Sequence, residues 1–298
     1  MHRIQLWLPF AAAGAVLWLG ATAAWAAGDA KRGAYIYIAA GCQGCHTAPA
    51  DAKKKVYLAG GRGLKTPFGT YYSPNITPDK ETGIGNWSEA DFKRALRDGK
   101  RPDGANYFPV FPYPAYTKMT DGDIADLWAH MQTLTPVKRA NKDHDVGFPF
   151  SLRFAVGAWR VMHFNEGPMA PDPSKSESWN RGAYLSEALS HCGECHTPRD
   201  MLGGLKLDMH MAGAVDGPGG EPVPNVTPDK ETGIGNWSAD DYESLLSLGM
   251  LPDGDFIGGE MTEVYENISK LTSADLKAMI EYLMALPAIH NKVTKKSH

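Results

Sequence analysis

The feature that most limits how this chain can fold is an internal duplication. The twelve-residue sequence TPDKETGIGNWS occupies residues 77–88 and occurs again without a change at 227–238, a displacement of 150 residues. Two further motifs, Cys-x-x-Cys-His and Pro-Asp-Gly, recur at the same displacement. Three motifs repeated in the same order predict two copies of one domain in tandem, and 298 residues is a suitable length for two domains.

The first 26 residues differ in character from both copies. His2 and Arg3 precede an apolar run, and Ala24-Trp25-Ala26 has the small-residue form of a signal-peptidase site. The pattern predicts a secretory signal peptide at 1–26, and an uncleaved membrane anchor is the alternative. No other long apolar run follows, so we expect no transmembrane segment in the mature chain.

Charge and motif spacing set the remaining boundaries. The formal net charge is −4, which gives no electrostatic reason to expect a nucleic-acid partner. We predict a first domain at 27–135, a linker at 136–178 and a second domain at 179–298.

All four cysteines belong to the two Cys-x-x-Cys-His motifs, which comprise Cys42, Cys45, His46, Cys192, Cys195 and His196. This motif is the attachment signature for c-type haem. In a helix its three functional positions share one face, so two thiols can form thioethers while the imidazole lies under the iron. A thioredoxin-like redox pair and a zinc site are the alternatives, but neither explains the histidine in both motifs. We therefore predict two covalently attached haem c groups.

The hydrophobic pattern predicts an all-α fold. Helices are expected to begin at Ser88 and Ser238, and again at Thr120 and Thr272, which resemble the start of capping boxes. After each threonine, apolar residues recur at helical spacing. The linker has an apolar centre at 148–164, for which we predict a helix that either clamps the two domains or offers a docking surface.

With these motifs in place, both halves resemble class I c-type cytochrome domains. The segments LAGGR at 58–62, TPFGT at 66–70 and NITPD at 75–79 resemble cytochrome c subunits of bacterial membrane-bound alcohol, aldehyde and gluconate dehydrogenases. The resemblance implies a periplasmic protein without catalysis of its own. It would carry electrons from a dehydrogenase to a downstream cytochrome or oxidase. Those subunits commonly have three haems, whereas this chain has two motifs.

The repeated twelve residues contain a tryptophan in each copy. Haem propionates need hydrogen-bond donors in a partly buried site, and an indole N–H on an apolar ring is a suitable donor. We predict that Trp87 and Trp237 contact the propionates, and that Gly83 and Gly85 let the backbone approach the ring edge. A capped helix start with a core tryptophan is the alternative.

Electron-transfer haems commonly have methionine opposite the histidine. In the second copy Met261, in the loop after the Pro-Asp-Gly motif, is the predicted sixth ligand. The first copy has Phe111 at that position, so Met119 is predicted there, with His130, Met131 or an open iron as alternatives. An open or displaceable iron site would favour a dihaem peroxidase over an electron carrier, and an unusual iron ligand would favour a thiosulfate-oxidising dihaem enzyme.

Overall fold

The computed structural model describes residues 28–54 and 56–294, so the predicted signal peptide at 1–26 lies outside the described residues. The α-helices along this part of the chain are α1 (Ala30–Ala39), α2 (Cys42–His46), α3 (Pro49–Ala52), α4 (Glu89–Asp98), α5 (Tyr113–Tyr116), α6 (Asp121–Met131), α7 (Ala155–His163), α8 (Glu177–Tyr184), α9 (Gly193–His196), α10 (Ala239–Leu248), α11 (Glu260–Ile268) and α12 (Ser273–Met284). A π-helix spans Leu185–Leu189, and short 3₁₀ helices span Leu207–Met209 and Pro218–Gly220. None of the helices in the described part is long and apolar enough to cross a bilayer.

A small antiparallel sheet shows that the all-α prediction is wrong. Its strands are β1 (Gly63–Thr66), β2 (Gly69–Tyr72) and β3 (Asp145–Val146), in the order β1-β2-β3. A two-residue turn joins β1 to β2, and the Thr66 hydroxyl donates to the Gly69 carbonyl at 2.9 Å across it. Four-residue strands are too short for a clear alternation of apolar and polar residues, and β3 comes from a distant part of the sequence. These features hid the sheet.

The predicted apolar linker helix also needs correction. Helix α7 does lie in the linker, but Val156 is its buried apolar side chain, whereas Val161 is 89% exposed and Met162 58% exposed. The rest of the apolar segment is irregular chain, apart from β3 before it. The indole N–H of Trp159 donates to the Leu202 carbonyl at 3.0 Å, so α7 touches the second copy at its edge. The linker is thus a mixed segment rather than a single apolar helix.

The predicted helix starts are confirmed. Ser88 and Ser238 are N-caps whose hydroxyls accept the amide three residues later, and an aspartate at that third position completes the capping box. Thr120 and Thr272 cap α6 and α12 in the same manner, without the reciprocal side-chain bond. Local chemistry that the sequence displays directly therefore sets these four helix starts.

In each copy the first helix crosses the last at a glycine. A Cβ placed on Gly33 in α1 would lie 1.9 Å from the backbone oxygen of Asp126 in α6. Gly182 in α8 has the same relation to the backbone oxygen of Ala278 in α12, also at 1.9 Å. Only a residue without a side chain permits so close an approach. The crossing holds the segment that carries each Cys-x-x-Cys-His motif against the core of its own copy.

The two copies meet through a pair of reciprocal contacts. The Tyr35 hydroxyl, from α1, donates to Asp275 in α12 at 2.6 Å, and the Tyr184 hydroxyl, from α8, donates to Asp123 in α6 at 2.5 Å. Each hydroxyl also accepts the amide of the threonine that caps the partner helix, at 3.1 Å. The first helix of either copy thus binds the start of the last helix of the other, so the interface has an approximate twofold symmetry.

Candidate haem-attachment sites

The first motif forms one short helix. Helix α2 begins after Gly41, whose φ of 61° is in the left-handed region and turns the chain sharply at the end of α1. Cys42 is half-buried and packs against the core, whereas Cys45 is exposed. The helical turn places both cysteines and His46 on one face, as the spacing predicts.

A backbone carbonyl orients the histidine of the first motif. Nδ1 of His46 lies 2.8 Å from the Pro74 carbonyl oxygen. A carbonyl accepts only, so Nδ1 carries the proton and Nε2 has a free lone pair. Burial lowers the pKa of His46, although the carbonyl opposes this effect. The ring is therefore neutral at neutral pH, which is the form that binds a metal.

The second motif repeats this arrangement. Nδ1 of His196 lies 2.8 Å from the Pro224 carbonyl oxygen, and burial lowers the pKa of His196 as well. The backbone amide of Gly60 donates to the His46 carbonyl at 2.8 Å, and that of Gly213 donates to the His196 carbonyl at 2.6 Å. Both histidines are thus fixed by the same two backbone contacts.

The thiols have the environment of a covalent attachment site rather than of a redox pair. All four cysteines are free. Burial raises the pKa of Cys42 and of Cys192 to about 12, and further charges act in the same direction. A thioredoxin-like pair requires the opposite shift, because its nucleophile is a thiolate. Neutral sulfur against an apolar core suits a thioether.

Residues at and just before the start of the repeated sequence hold the proline carbonyls that contact these histidines. Next to Pro74, the Asn75 side-chain oxygen accepts the Thr77 amide at 3.0 Å and the Thr77 hydroxyl at 2.7 Å. The Asn75 side-chain amide donates to the Val137 carbonyl at 2.7 Å, beyond the last helix of the copy. Asn225 makes the equivalent contacts in the second copy. The loop is thereby fixed where it presents its proline carbonyl to the histidine.

The glycines of the repeated sequence allow this loop to fold tightly on itself. A Cβ on Gly83 would lie 2.2 Å from the Thr77 carbonyl oxygen, and one on Gly85 would lie 2.3 Å from that of Pro78. The Ile84 amide donates to the Thr77 carbonyl at 2.9 Å, which closes the turn. The described contacts thus assign these glycines to the packing of the loop on itself. The carbonyls of Pro74 and Pro224 were missed from the sequence, although Pro-Asn recurs there at the displacement of the motifs.

The two predicted tryptophans lie at equivalent places just before α4 and α10. Trp87 and Trp237 are half-buried against the core, and the Trp237 ring centroid lies 5.9 Å from that of Tyr242. Each indole therefore has an apolar contact and an edge that solvent reaches. The contact with a propionate stays a prediction.

The two predicted methionine ligands lie in different surroundings. Met119 is fully buried in the core directly before α6, and Met261 is half-buried in the first turn of α11. Phe111 packs among tyrosines, with its ring centroid 5.8 Å from that of Tyr116. Among the alternatives for the first copy, His130 packs at a tilted angle against the Tyr37 ring, and Met131 is buried in the core. Ligation by Met119 and Met261 stays a prediction.

Arg62 is a further residue at the first motif that sequence reasoning did not identify. Its guanidinium donates to the Gly44 carbonyl at 2.7 Å, inside the motif. It also donates to Glu263 at 2.6 Å and to Glu260 at 2.7 Å, both on the helix that carries Met261. Arg62 therefore ties the first attachment site to α11 of the second copy.

Comparison with known proteins agrees with this geometry. The cytochrome c family matches residues 30–135. A diheme cytochrome c-type protein of Cereibacter sphaeroides is 42% identical over 268 residues, which cover 88% of this chain and 87% of that protein. The fructose dehydrogenase cytochrome subunit of Gluconobacter japonicus is 39% identical over 87% of this chain and 52% of its own length. The cytochrome c subunit of the quinone alcohol dehydrogenase of Gluconobacter oxydans is 38% identical, over 87% and 55% respectively.

The chain thus spans about half the length of the two dehydrogenase subunits and most of the length of the diheme protein. The paired Cys-x-x-Cys-His motifs, with their neutral histidines, match what that resemblance requires. The chain therefore belongs to the dihaem c-type cytochromes, and it is an electron-transfer protein that carries two covalently attached haem c groups.

Proposed function

We propose that this protein is a periplasmic electron carrier that takes electrons from a dehydrogenase and passes them to a downstream cytochrome or oxidase. The observation that carries the proposal is the duplicated site, in which His46 and His196 are each fixed by a proline carbonyl. The names of the dehydrogenase relatives support the choice of donor. The apolar segment and Ala-Trp-Ala sequence at 1–26 support export.

The residues of the chain have defined tasks in this proposal. Each bound haem supplies one-electron exchange at its iron. Cys42 with Cys45, and Cys192 with Cys195, hold the two groups covalently. His46 and His196 would bind the two irons through Nε2. We assign Met119 and Met261 as further iron ligands and Trp87 and Trp237 as propionate donors. The domains that carry out these tasks are 27–135 and 179–298, joined by 136–178.

Fixed ligands suit electron transfer, because an iron that keeps its coordination reorganises little on oxidation. The carbonyl bonds at Pro74 and Pro224 prevent rotation of the two imidazoles. Complete burial of Met119 keeps water away from that side chain. Methionine–histidine ligation raises the reduction potential, which suits acceptance of electrons from a dehydrogenase.

A dihaem peroxidase is the second candidate, and Phe111 favours it, since that residue stands where a methionine is expected. Electron paramagnetic resonance on the oxidised protein separates the two functions. For a carrier we expect two low-spin signals and no turnover of peroxide, and Met119→Ala should convert one signal to high spin. A high-spin signal in the unmutated protein together with peroxide turnover would overturn the carrier assignment.

A further inference from the structure

The stretch between the interface tyrosine and the motif is one residue longer in the second copy than in the first. Six residues separate Tyr35 from Cys42, whereas seven separate Tyr184 from Cys192. The π-helix at Leu185–Leu189 accommodates the additional residue. π-Helical turns are rare in proteins, and those that occur are often found at functional sites. The π-helix here contains a buried acidic residue, Glu187, which is 9% exposed.

Glu187 is bound by three side chains. Its carboxylate accepts a hydrogen bond from Lys118 Nζ at 2.8 Å and one from the Tyr282 hydroxyl at 2.8 Å, and it lies 2.8 Å from Nε2 of His210. Burial raises the pKa of Glu187, but the bond to His210 and the charge of Lys118 outweigh burial and bring the pKa to about 2. The carboxylate is therefore ionised at neutral pH.

This charge lies beside the second attachment site. The amide of Cys192 donates to the carbonyl of Ser186, the neighbour of Glu187, at 2.9 Å. Burial raises the pKa of Cys192, and the Glu187 charge is the next contribution in that direction. The His210 ring packs on the motif itself, since a Cβ on Gly193 would lie 2.9 Å from it. The Glu187 cluster thus lies directly against the second attachment motif.

The first copy has no acidic residue at the position equivalent to Glu187. Tyr37 corresponds to Glu187, because each lies five residues before the first cysteine of its motif. Tyr57 corresponds to His210, because each directly precedes a residue of positive φ, Leu58 or Met211. His130 corresponds to Tyr282, because each lies ten residues after the threonine that caps its helix. The Tyr37 and His130 rings lie 5.2 Å apart. Burial raises the pKa of Tyr37 and lowers that of His130, so both are neutral at neutral pH.

We propose that Glu187 sets the reduction potential of the second haem below the value that the same ligands would otherwise give, and that Lys118 partly offsets it. A fixed negative charge stabilises the oxidised state of a nearby iron, because oxidation adds a positive charge. Low exposure of the Glu187 side chain, 10%, limits screening by solvent. Two sites with similar ligands thereby obtain different potentials. The inference needs only the two haems, whatever the donor and acceptor are.

A redox titration of three variants of the haem-loaded protein, followed in the visible spectrum and fitted to two components, tests the proposal. Glu187→Gln removes the negative charge and should raise one potential while the other stays in place. Lys118→Met removes the opposing charge and should lower the same potential. Lys270→Met is the matched control, because Lys270 lies two residues before its capping threonine, as Lys118 does, and is exposed. The potential that Glu187→Gln raises should not change in that control.

Opposite shifts distinguish charge from structure. Glu187→Gln and Lys118→Met break the same ion pair, so a purely structural role would shift the potential in the same direction in both variants, and that result would overturn the proposal. Unchanged potentials in both would overturn it as well. If Glu187→Gln does not fold, Lys118→Met decides by its sign, since a rise or no change contradicts the proposal. Glu187→Asp keeps the charge and should restore most of the original potential. Haem content and spin state test the carrier assignment separately.

Discussion

At the scale of single residues, the orientation of the two motif histidines depends on backbone atoms rather than on side chains. Pro74 and Pro224 contribute only a backbone oxygen, yet each decides which nitrogen of the imidazole carries the proton. Asn75 and Thr77 hold that oxygen in place through a short network of hydrogen bonds. Thr77, the first residue of the repeated sequence, is therefore part of a rigid support for the histidine.

A methionine substitution tests the residue assigned as the second sixth ligand. Met261→Ala should remove about half of any absorbance band from sulfur-to-iron charge transfer and lower one of the two potentials, because a thioether ligand raises the potential. Optical spectra and a redox titration measure both effects. Met284→Ala, at a side chain that is 43% exposed, is the control and should change neither. An unaltered spectrum for Met261→Ala would exclude Met261 as a ligand.

At the scale of elements, the crossing of first and last helices positions each motif. The crossings rest on Gly33 and Gly182, where a side chain would meet a backbone oxygen of the opposite helix. Such a clash cannot be relieved by turning a side chain, so the helices would have to separate. The motif directly after the first helix would move with it.

Substitution at one crossing should be costly. Gly182→Ala is expected to destabilise the folded protein by about 2 kcal/mol, because the added methyl group overpacks a backbone contact. Gly157→Ala is the matched control in α7, since its Cβ would meet only the Asn106 side chain at 3.9 Å. Urea unfolding monitored by circular dichroism measures both. Equal midpoints for Gly182→Ala and the unmutated protein would show that the crossing tolerates a side chain.

Short-range chemistry made the helix starts predictable, whereas long-range pairing hid the sheet. The amides that Ser88 and Thr120 cap lie only three residues further along the chain, so the local sequence is enough to predict these helix starts. Strand β3 pairs with β2 across more than seventy residues of sequence. Because β3 has only two residues, its sequence is too short to predict such a pairing. At the sites, the cysteines and histidines were predictable from spacing. Glu187 was not, because its partners Lys118, His210 and Tyr282 lie far from it and from one another in the sequence.

At the scale of the whole molecule, charge is distributed unevenly between the copies. Residues 27–135 contain fourteen lysines and arginines against eleven aspartates and glutamates. Residues 179–298 contain nine against eighteen. A net charge of −4 conceals this difference. The second half therefore presents a strongly negative field to a redox partner, and the first half a weakly positive one.

Electron exchange with a basic partner should consequently depend on salt. With a basic mitochondrial-type cytochrome c as the probe, the second-order rate constant should fall as ionic strength rises from about 0.01 M to about 0.15 M, because salt screens the attraction. Stopped-flow absorbance measures the rate. An acidic blue-copper protein is the control and should be less affected or show the opposite trend. A rate with the basic probe that does not change with salt would contradict this prediction.

The reciprocal tyrosines of the interface have a consequence for how such a chain could arise. Tyr35 binds the second copy as Tyr184 binds the first, and contact of one patch with its own counterpart is the rule of an isologous dimer. Two separate single-haem subunits with this patch could associate in the same way. Fusing them makes the encounter intramolecular, so the pair no longer depends on protein concentration. Once paired permanently, the two halves are free to diverge, and an acidic residue can enter one of them alone.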